Sequence, residues 1–128
     1  MATWADVERI GLALPGTSLG TSWHRPTVQV KDTWFVLDRG PRPDAVDDVG
    51  ARLEGLVVLY VEDEEAKLQL AADDSGYFLT TAHFANSRMI LVRLAQIPAE
   101  ELEEMMIESW LIRAPKRMAR AYLDTLNP

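Results

Sequence analysis

Four basic residues near the end of this 128-residue sequence are its clearest candidates for chemistry: Arg113, Lys116, Arg117 and Arg120. They are spaced by three and four residues, so on a single helix they would share one face. Guanidinium and ammonium groups on one face could hold a phosphate or an acidic partner. A structural interpretation stays open, because basic side chains near the end of a helix also complement its dipole and pair with glutamates upstream.

The charge of the whole chain makes this basic segment conspicuous. The sequence has 13 Lys and Arg against 20 Asp and Glu, a formal net charge of −7, which excludes a strongly basic nucleic-acid coat and a polybasic membrane binder. The charge is uneven, because residues 62–112 carry three basic and eleven acidic side chains, whereas residues 113–128 carry four basic and one acidic. A local anion site is therefore compatible with the acidic chain, although the surrounding field would slow the approach of DNA.

Two histidines form a second group of candidates. His24 follows Trp23, and His83 precedes Phe84. An aromatic ring beside a polar group suits a pocket for a small molecule or a protein partner, provided that the two segments converge in space. Neither histidine lies in an HExxH or HxxxH spacing that would place two ligands on one metal ion. As single loop residues, both could instead serve backbone hydrogen bonds.

The sequence lacks the motifs of familiar catalytic sites. It has no cysteine, which excludes disulfides, thiol catalysis and thiolate metal sites. Its seven glycines form neither a P-loop nor a GxGxxG motif, and no serine lies in a GxSxG elbow. The acidic runs 62–65 and 100–104 lack the alternating spacing of a calcium loop and are typical of solvated helix faces. We therefore predict a protein that is not an enzyme and that carries no cofactor and no metal ion.

The sequence also indicates a compartment. Its longest apolar run, Leu56–Val61, is too short to span a bilayer. Residues 1–6 lack the basic start and apolar stretch of a secretory signal, and the lack of cysteine fits a reducing environment. We expect a cytoplasmic protein that does not bind membranes, with its oligomeric state left open.

The pattern of apolar and turn residues predicts the elements that must position these side chains. A capping box at Thr3 and Asp6 begins a helix that Pro15-Gly16 ends. The sequence then predicts a loop at Thr17–Ser22, a hairpin of Thr27–Val30 and Trp34–Leu37, a loop at Gly40–Gly55, a strand at Leu56–Val61, a helix at Glu62–Ala72, strands at Tyr77–Thr80 and Met89–Leu94, and a helix after Pro98. Pro115 starts a last helix or kinks the previous one.

Helical spacing predicts which faces of the two C-terminal helices pack on the core. The first face comprises Leu102, Met105, Met106, Ser109 and Trp110, and the second comprises Ala114, Met118, Ala121 and Tyr122. Hairpins dominate over strand–helix–strand crossovers in this order of elements. We therefore predict a single α+β domain over residues 1–128, with a mainly antiparallel sheet packed by N- and C-terminal helices.

Taken together, these motifs resemble the MmcQ/YjbR family of small bacterial proteins over nearly the whole chain. The resemblance is carried, in order, by Leu12-Ala13-Leu14-Pro15-Gly16, Ser22-Trp23 with Pro26 before a strand, Phe78-Leu79-Thr80-Thr81-Ala82-His83-Phe84, Leu91-Val92-Arg93-Leu94, and Trp110-Leu111-Ile112-Arg113-Ala114-Pro115-Lys116-Arg117-Met118. The most specific part of the resemblance is the combination of Ala-Pro-Lys-Arg with the upstream Thr-Thr-x-His-Phe. Two departures affect the second hairpin connection, since Ala82 stands where relatives usually have proline and 85–88 replaces a Gly-Tyr-Pro-like stretch.

The resemblance implies a CyaY-like α+β fold, related in architecture to the frataxins. It also implies a DNA-binding-like protein whose two β-hairpins act as wings, a description that rests largely on fold. Carried over to this sequence, the wing tips would lie near Lys31–Thr33 and in the Thr81–Arg88 connection. The relation to frataxins also implies iron binding by acidic residues. The acids at 62–65 and 100–104 are the residues of this sequence that would support it.

Two hypotheses follow for the function of the chain. In the first, the four C-terminal basic residues contact the phosphates of nucleic acid, with Arg25, Lys31 and Arg88 as secondary contacts. In the second, the surface around Trp23, His24, His83 and Phe84 binds a small molecule or a protein partner.

Overall fold

The computed structural model describes residues 2–22, 24–39, 55–80 and 87–126. Along the chain the elements are α1 (Trp4–Leu12), β1 (Thr17–Ser22), β2 (Arg25–Val30), β3 (Thr33–Asp38), β4 (Leu56–Tyr60), α2 (Glu64–Ala71), β5 (Phe78–Leu79), β6 (Met89–Arg93), α3 (Ala99–Arg113) and α4 (Lys116–Leu126). Most of the predicted loop at 40–55 lies outside the described residues. The α+β prediction is confirmed.

The strands of the described residues form one antiparallel sheet with the order β1-β2-β3-β4-β6-β5. Strands β1, β2 and β3 form a meander, and the tip between β2 and β3 is Lys31-Asp32, two residues with positive φ. The chain leaves β4 through α2, adds β5 at the sheet edge and returns as β6 between β4 and β5. The predicted hairpins β2–β3 and β5–β6 are therefore confirmed.

The prediction of a loop at Thr17–Ser22 is wrong, because this segment is the edge strand β1. It pairs with β2 over its full length, from Thr17 opposite Val30 to Ser22 opposite Arg25. Apart from Leu19 its side chains are small, and none of its residues is fully buried. An edge strand of this kind is specified by its neighbour in the sheet, since its own side chains carry no alternating apolar pattern.

Helix α3 packs across the sheet, and its predicted core-facing residues are all buried: Leu102, Met105, Met106, Ser109 and Trp110. They meet Phe35 and Val36 of β3 and the inward-facing residues of β4 in the main hydrophobic core. Helix α1 begins with the predicted capping box of Thr3 and Asp6 and packs beside α3 on the β1–β2 half of the sheet. The helices therefore cover one face of the sheet, as the apolar spacing predicts.

One polar side chain in this core completes the sheet itself. Strands β3 and β4 pair from Asp38 to Val36, and beyond that point the hydroxyl of Ser109 connects them. This hydroxyl donates to the Phe35 carbonyl at 2.6 Å and accepts from the Tyr60 amide at 3.0 Å. Since the side chain is fully buried, it satisfies two backbone groups that water cannot reach.

Helices α3 and α4 are separated by a break at Ala114-Pro115. Ala114 has ψ 153°, an extended conformation that is favoured before proline, so Pro115 starts a new helix. The helix α4 packs on the core through Met118, Ala119 and Tyr122. The predicted core-facing residue Ala121 is instead exposed. The predicted face was counted from Ala114, which lies outside α4, so its helical spacing does not carry over.

Gly16 allows α4 to lie close to the turn that follows α1. This glycine has φ +68°, and a Cβ at its position would lie 2.8 Å from the Met118 methyl group. Gly16→Ala is expected to lower the free energy of unfolding by about 1–2 kcal/mol for the left-handed backbone, plus the cost of displacing Met118. Urea unfolding would measure the loss.

The matched control for this substitution is Gly55→Ala. Gly55 has the same φ of +68°, but a Cβ there would have no atom of the described residues within 4 Å. It should therefore show the backbone cost alone, and the difference between the two variants isolates the contact with Met118. Equal losses would contradict the tight packing of α4 at Gly16.

Candidate anion-binding site

A cavity of about 460 Å³ lies between α4 and the tip of the β2–β3 hairpin. Its described lining residues are Lys31, Pro115, Arg117, Met118 and Ala121. Pro115, Met118 and Ala121 give it apolar walls, and Lys31 and Arg117 complete the lining. Small-molecule sites commonly combine mostly apolar walls with a few polar groups, in volumes of roughly 300–1,000 Å³.

Lys31 reaches this cavity because of the conformation of the hairpin tip. Lys31 has a φ of 50° and Asp32 has a φ of 68°. Positive φ at both central positions is the pattern of a tight, two-residue type I′ hairpin. The Lys31 amide donates to the Gly16 carbonyl at 3.4 Å, which fixes the tip beside the turn that α4 covers. The predicted wing tip at Lys31–Thr33 is thus adjacent to the C-terminal helix.

The other cations belong to the first turns of α4. Lys116, Arg117 and Arg120 are exposed, and Arg117 lines the cavity. Within the described part of the chain, these three residues form no ion pair with a carboxylate, and Lys31 forms none either. Their charges are therefore available to a ligand, as far as the described residues extend.

Arg113 does not share this surface, so the prediction of four basic residues on one helix face is wrong. It is the last residue of α3, and the break after it sends the other three cations to a separate helix. Its Nε donates to the Trp34 carbonyl at 3.0 Å, and its guanidinium carbon lies 4.2 Å from the Tyr60 ring centroid. Arg113 therefore fastens α3 to the open end of the β3–β4 pair, one helical turn after Ser109.

The secondary candidates Arg25 and Arg88 lie apart from the described cavity lining. Arg25 donates to Asp38 at 2.9 Å across β2 and β3. Arg88 is exposed just before β6, and its carbonyl accepts from the Val61 amide at 2.7 Å. Of the secondary candidates, only Lys31 is placed with the cations of α4.

The alternative pocket rests on four residues, of which the structure describes His24. This histidine is exposed in the turn between β1 and β2 and has φ 64°. Trp23, His83 and Phe84 lie outside the described residues, as does most of the Thr81–Arg88 connection. The convergence of the two histidine segments stays a prediction.

Acidic side chains lie along α3, and the pKa of two of them is raised. Tyr77 donates a hydrogen bond to Glu101, whose pKa is raised by burial and by repulsion from Asp73 and Glu104. Burial also raises the pKa of Glu108, with a further contribution from Glu62. Among the described residues, no three His, Asp or Glu side chains are grouped so that they could hold a metal ion.

Nothing in the sequence pattern predicts that a lysine of α2 is buried. Lys67 of α2 is 1% exposed, and its Nζ donates to the Ser87 carbonyl at 2.7 Å. It fastens α2 to the chain just before β6 and does not line the cavity.

No helix of the described chain combines the length and the apolar character that crossing a membrane requires.

Comparison with known proteins places the fold and the family. The chain is 38% identical over 134 residues to Rv2570 of Mycobacterium tuberculosis and equally to Mb2600 of Mycobacterium bovis, both described as uncharacterised proteins. Each alignment covers 96% of this chain and 97% of the relative. The crystal structure of Deinococcus radiodurans protein DR2400, with a DUF419 domain, matches with a TM-score of 0.63 at 20% identity, over 88% of this chain and 78% of that chain. That likeness shows a shared fold. Since the sequence profile of the YjbR family matches residues 12–112, and two mycobacterial proteins align over nearly their whole length, the chain belongs to the YjbR family.

Proposed function

We propose that this protein is a non-enzymatic binding protein whose ligand is nucleic acid, held through its phosphates by α4 and the β2–β3 tip. The observation that carries the proposal is the meeting of Lys31 and Arg117 at one cavity. These residues are 86 positions apart in the sequence, so only the fold brings the two cations together. Lys116 and Arg120 extend the positive surface along α4.

The position of these cations in α4 argues against a purely structural role. Lys116 and Arg117 occupy the first turn of the helix, which contains no acidic residue. Because the N-terminal end of a helix is its positive end, cations there cost stability, about 0.3–1 kcal/mol each where exposed. The first turn of a helix with added cations is instead a favourable place for a phosphate.

The test is a salt titration of binding to labelled duplex DNA, followed by fluorescence anisotropy. If all four cations contact phosphates, the logarithm of the association constant should fall with the logarithm of salt concentration with a slope of about −3.6. Arg117→Gln should weaken binding and reduce the magnitude of that slope by about one. Lack of binding to duplex and to single-stranded DNA alike at about 50 mM salt, where phosphate contacts are strong, would overturn the proposal.

Arg9→Gln provides the matched control. Arg9 is an exposed arginine of α1 that pairs with Asp6 at 3.3 Å and does not line the cavity. It removes the same charge from the protein, so any effect of net charge alone appears in both variants. Equal losses from Arg9→Gln and Arg117→Gln would show that binding depends on total charge and that the surface of α4 has no special part in it.

A further inference from the structure

We infer that the ligand of this cavity is single-stranded nucleic acid, with one unpaired base seated between α4 and the β2–β3 tip. The inference rests on the proposed function, since it names the form of nucleic acid that the same site takes. Lys31 and Arg117 line a mostly apolar cavity, whereas a surface built only for phosphates needs no such cavity. The ligand must therefore supply an apolar face as well as negative charge.

The walls of the cavity suit the face of a base. Pro115 and Ala121 offer flat aliphatic surface, and Met118 adds a polarizable thioether that makes favourable contacts with aromatic rings. Arg117 borders the same space, and the guanidinium plane of an arginine stacks on unpaired bases. A volume of about 460 Å³ lies in the lower part of the range of roughly 300–1,000 Å³ seen for small-molecule sites, a size that suits one nucleoside.

Duplex DNA cannot fill this site. Its bases are paired and stacked inside the helix, so it could offer phosphates to Lys31 and Arg117 while the apolar walls stayed in contact with water. A single strand presents a base and its neighbouring phosphates together, and proteins that bind such strands combine cationic contacts with stacking surfaces. The combination of groups at the cavity thus favours the single strand.

The experiment compares three labelled oligonucleotides of about 12 nucleotides, a length within the usual range of single-strand sites: oligothymidylate, a duplex, and a strand of abasic sites. Oligothymidylate should bind about tenfold more tightly than the other two, the effect of one stacked base. The abasic strand keeps the phosphates and removes the bases, so it tests the cavity without any change in the protein.

A substitution that fills the cavity gives an independent test. Ala121 is exposed and lines the cavity, so Ala121→Leu should occupy the space with little disturbance of the core. It should lower the affinity for oligothymidylate about tenfold and leave duplex binding unchanged. Ala5→Leu, at an exposed position of α1 outside the cavity lining, is the matched control and should change neither affinity.

The outcomes separate the two proposals. Equal affinity for oligothymidylate and the abasic strand overturns the seated base while binding through phosphates stands. A duplex that binds as tightly as oligothymidylate overturns the preference for single strands. Lack of binding to all three oligonucleotides at about 50 mM salt overturns the proposed function itself.

Discussion

Replacing Trp110 with alanine is expected to lower the free energy of unfolding by about 3–5 kcal/mol, the cost of removing a large aromatic side chain from a packed core. Trp110 is fully buried in α3. Its indole Nε1 donates to the Pro15 carbonyl at 3.1 Å, and its ring meets Tyr122 of α4 edge-on at 5.1 Å. One side chain thus joins the turn after α1, the last turn of α3 and the core-facing side of α4.

The measurements for Trp110 are urea unfolding and amide hydrogen exchange. Exchange in α4 should rise more than exchange in β4, because the alanine removes the ring that Tyr122 packs against. Trp110→Phe keeps most of the packing and removes the hydrogen bond to Pro15, so its loss should be smaller than that of the alanine variant. A loss of only about 0.5 kcal/mol for Trp110→Ala, the size seen at ordinary surface positions, would contradict this account of how α4 is held.

Replacing Ser109 with alanine should also have a large effect on the free energy of unfolding, a loss of about 1–3 kcal/mol for each of the two polar groups left without a partner in the core. Its hydroxyl bonds to both Phe35 and Tyr60. The space that the missing oxygen leaves is too small for a water molecule to replace it. Two backbone groups would therefore stay buried and unpaired. Urea unfolding measures the loss, and exchange of the Tyr60 amide reports it locally.

The control for Ser109→Ala is Ser18→Ala. Ser18 is exposed on the edge strand β1, so the same loss of a hydroxyl should change stability by no more than about 0.5 kcal/mol. If both variants lost equal stability, the bridge from Ser109 to the two strands would contribute nothing. Slow exchange of the Tyr60 amide in Ser109→Ala would contradict the bridge directly.

Elements with a strong apolar period could be predicted from the sequence, and the edge strand could not. All five core-facing residues of α3 are as predicted, since a long amphipathic helix carries its own signal. The strand β4 was predicted from its continuous apolar run, and its four residues from Leu56 to Leu59 are fully buried. In contrast, β1 depends on its pairing with β2, which is a tertiary contact that local composition does not reveal.

The candidate site shows the same limit at the level of single side chains. Sequence spacing grouped Arg113 with Lys116 and Arg117, but it assumed one continuous helix. The proline after Ala114 is the signal that separates them, because the residue before a proline avoids helical geometry. No local signal could join Lys31 to Arg117, since their meeting depends on the packing of α4 against the turn at Gly16.

The length of α3 has a consequence for how the molecule meets a charged ligand. Its 15 residues span about 22 Å, with the carboxylates around Glu101 near one end and the cations of α4 beyond the other. Opposite charges at that distance contribute to the dipole moment of the protein. If the ligand is a polyanion, as proposed above, this contribution turns the cationic end forward before contact, so the rate of productive encounters would depend on orientation as well as on the net charge of −7.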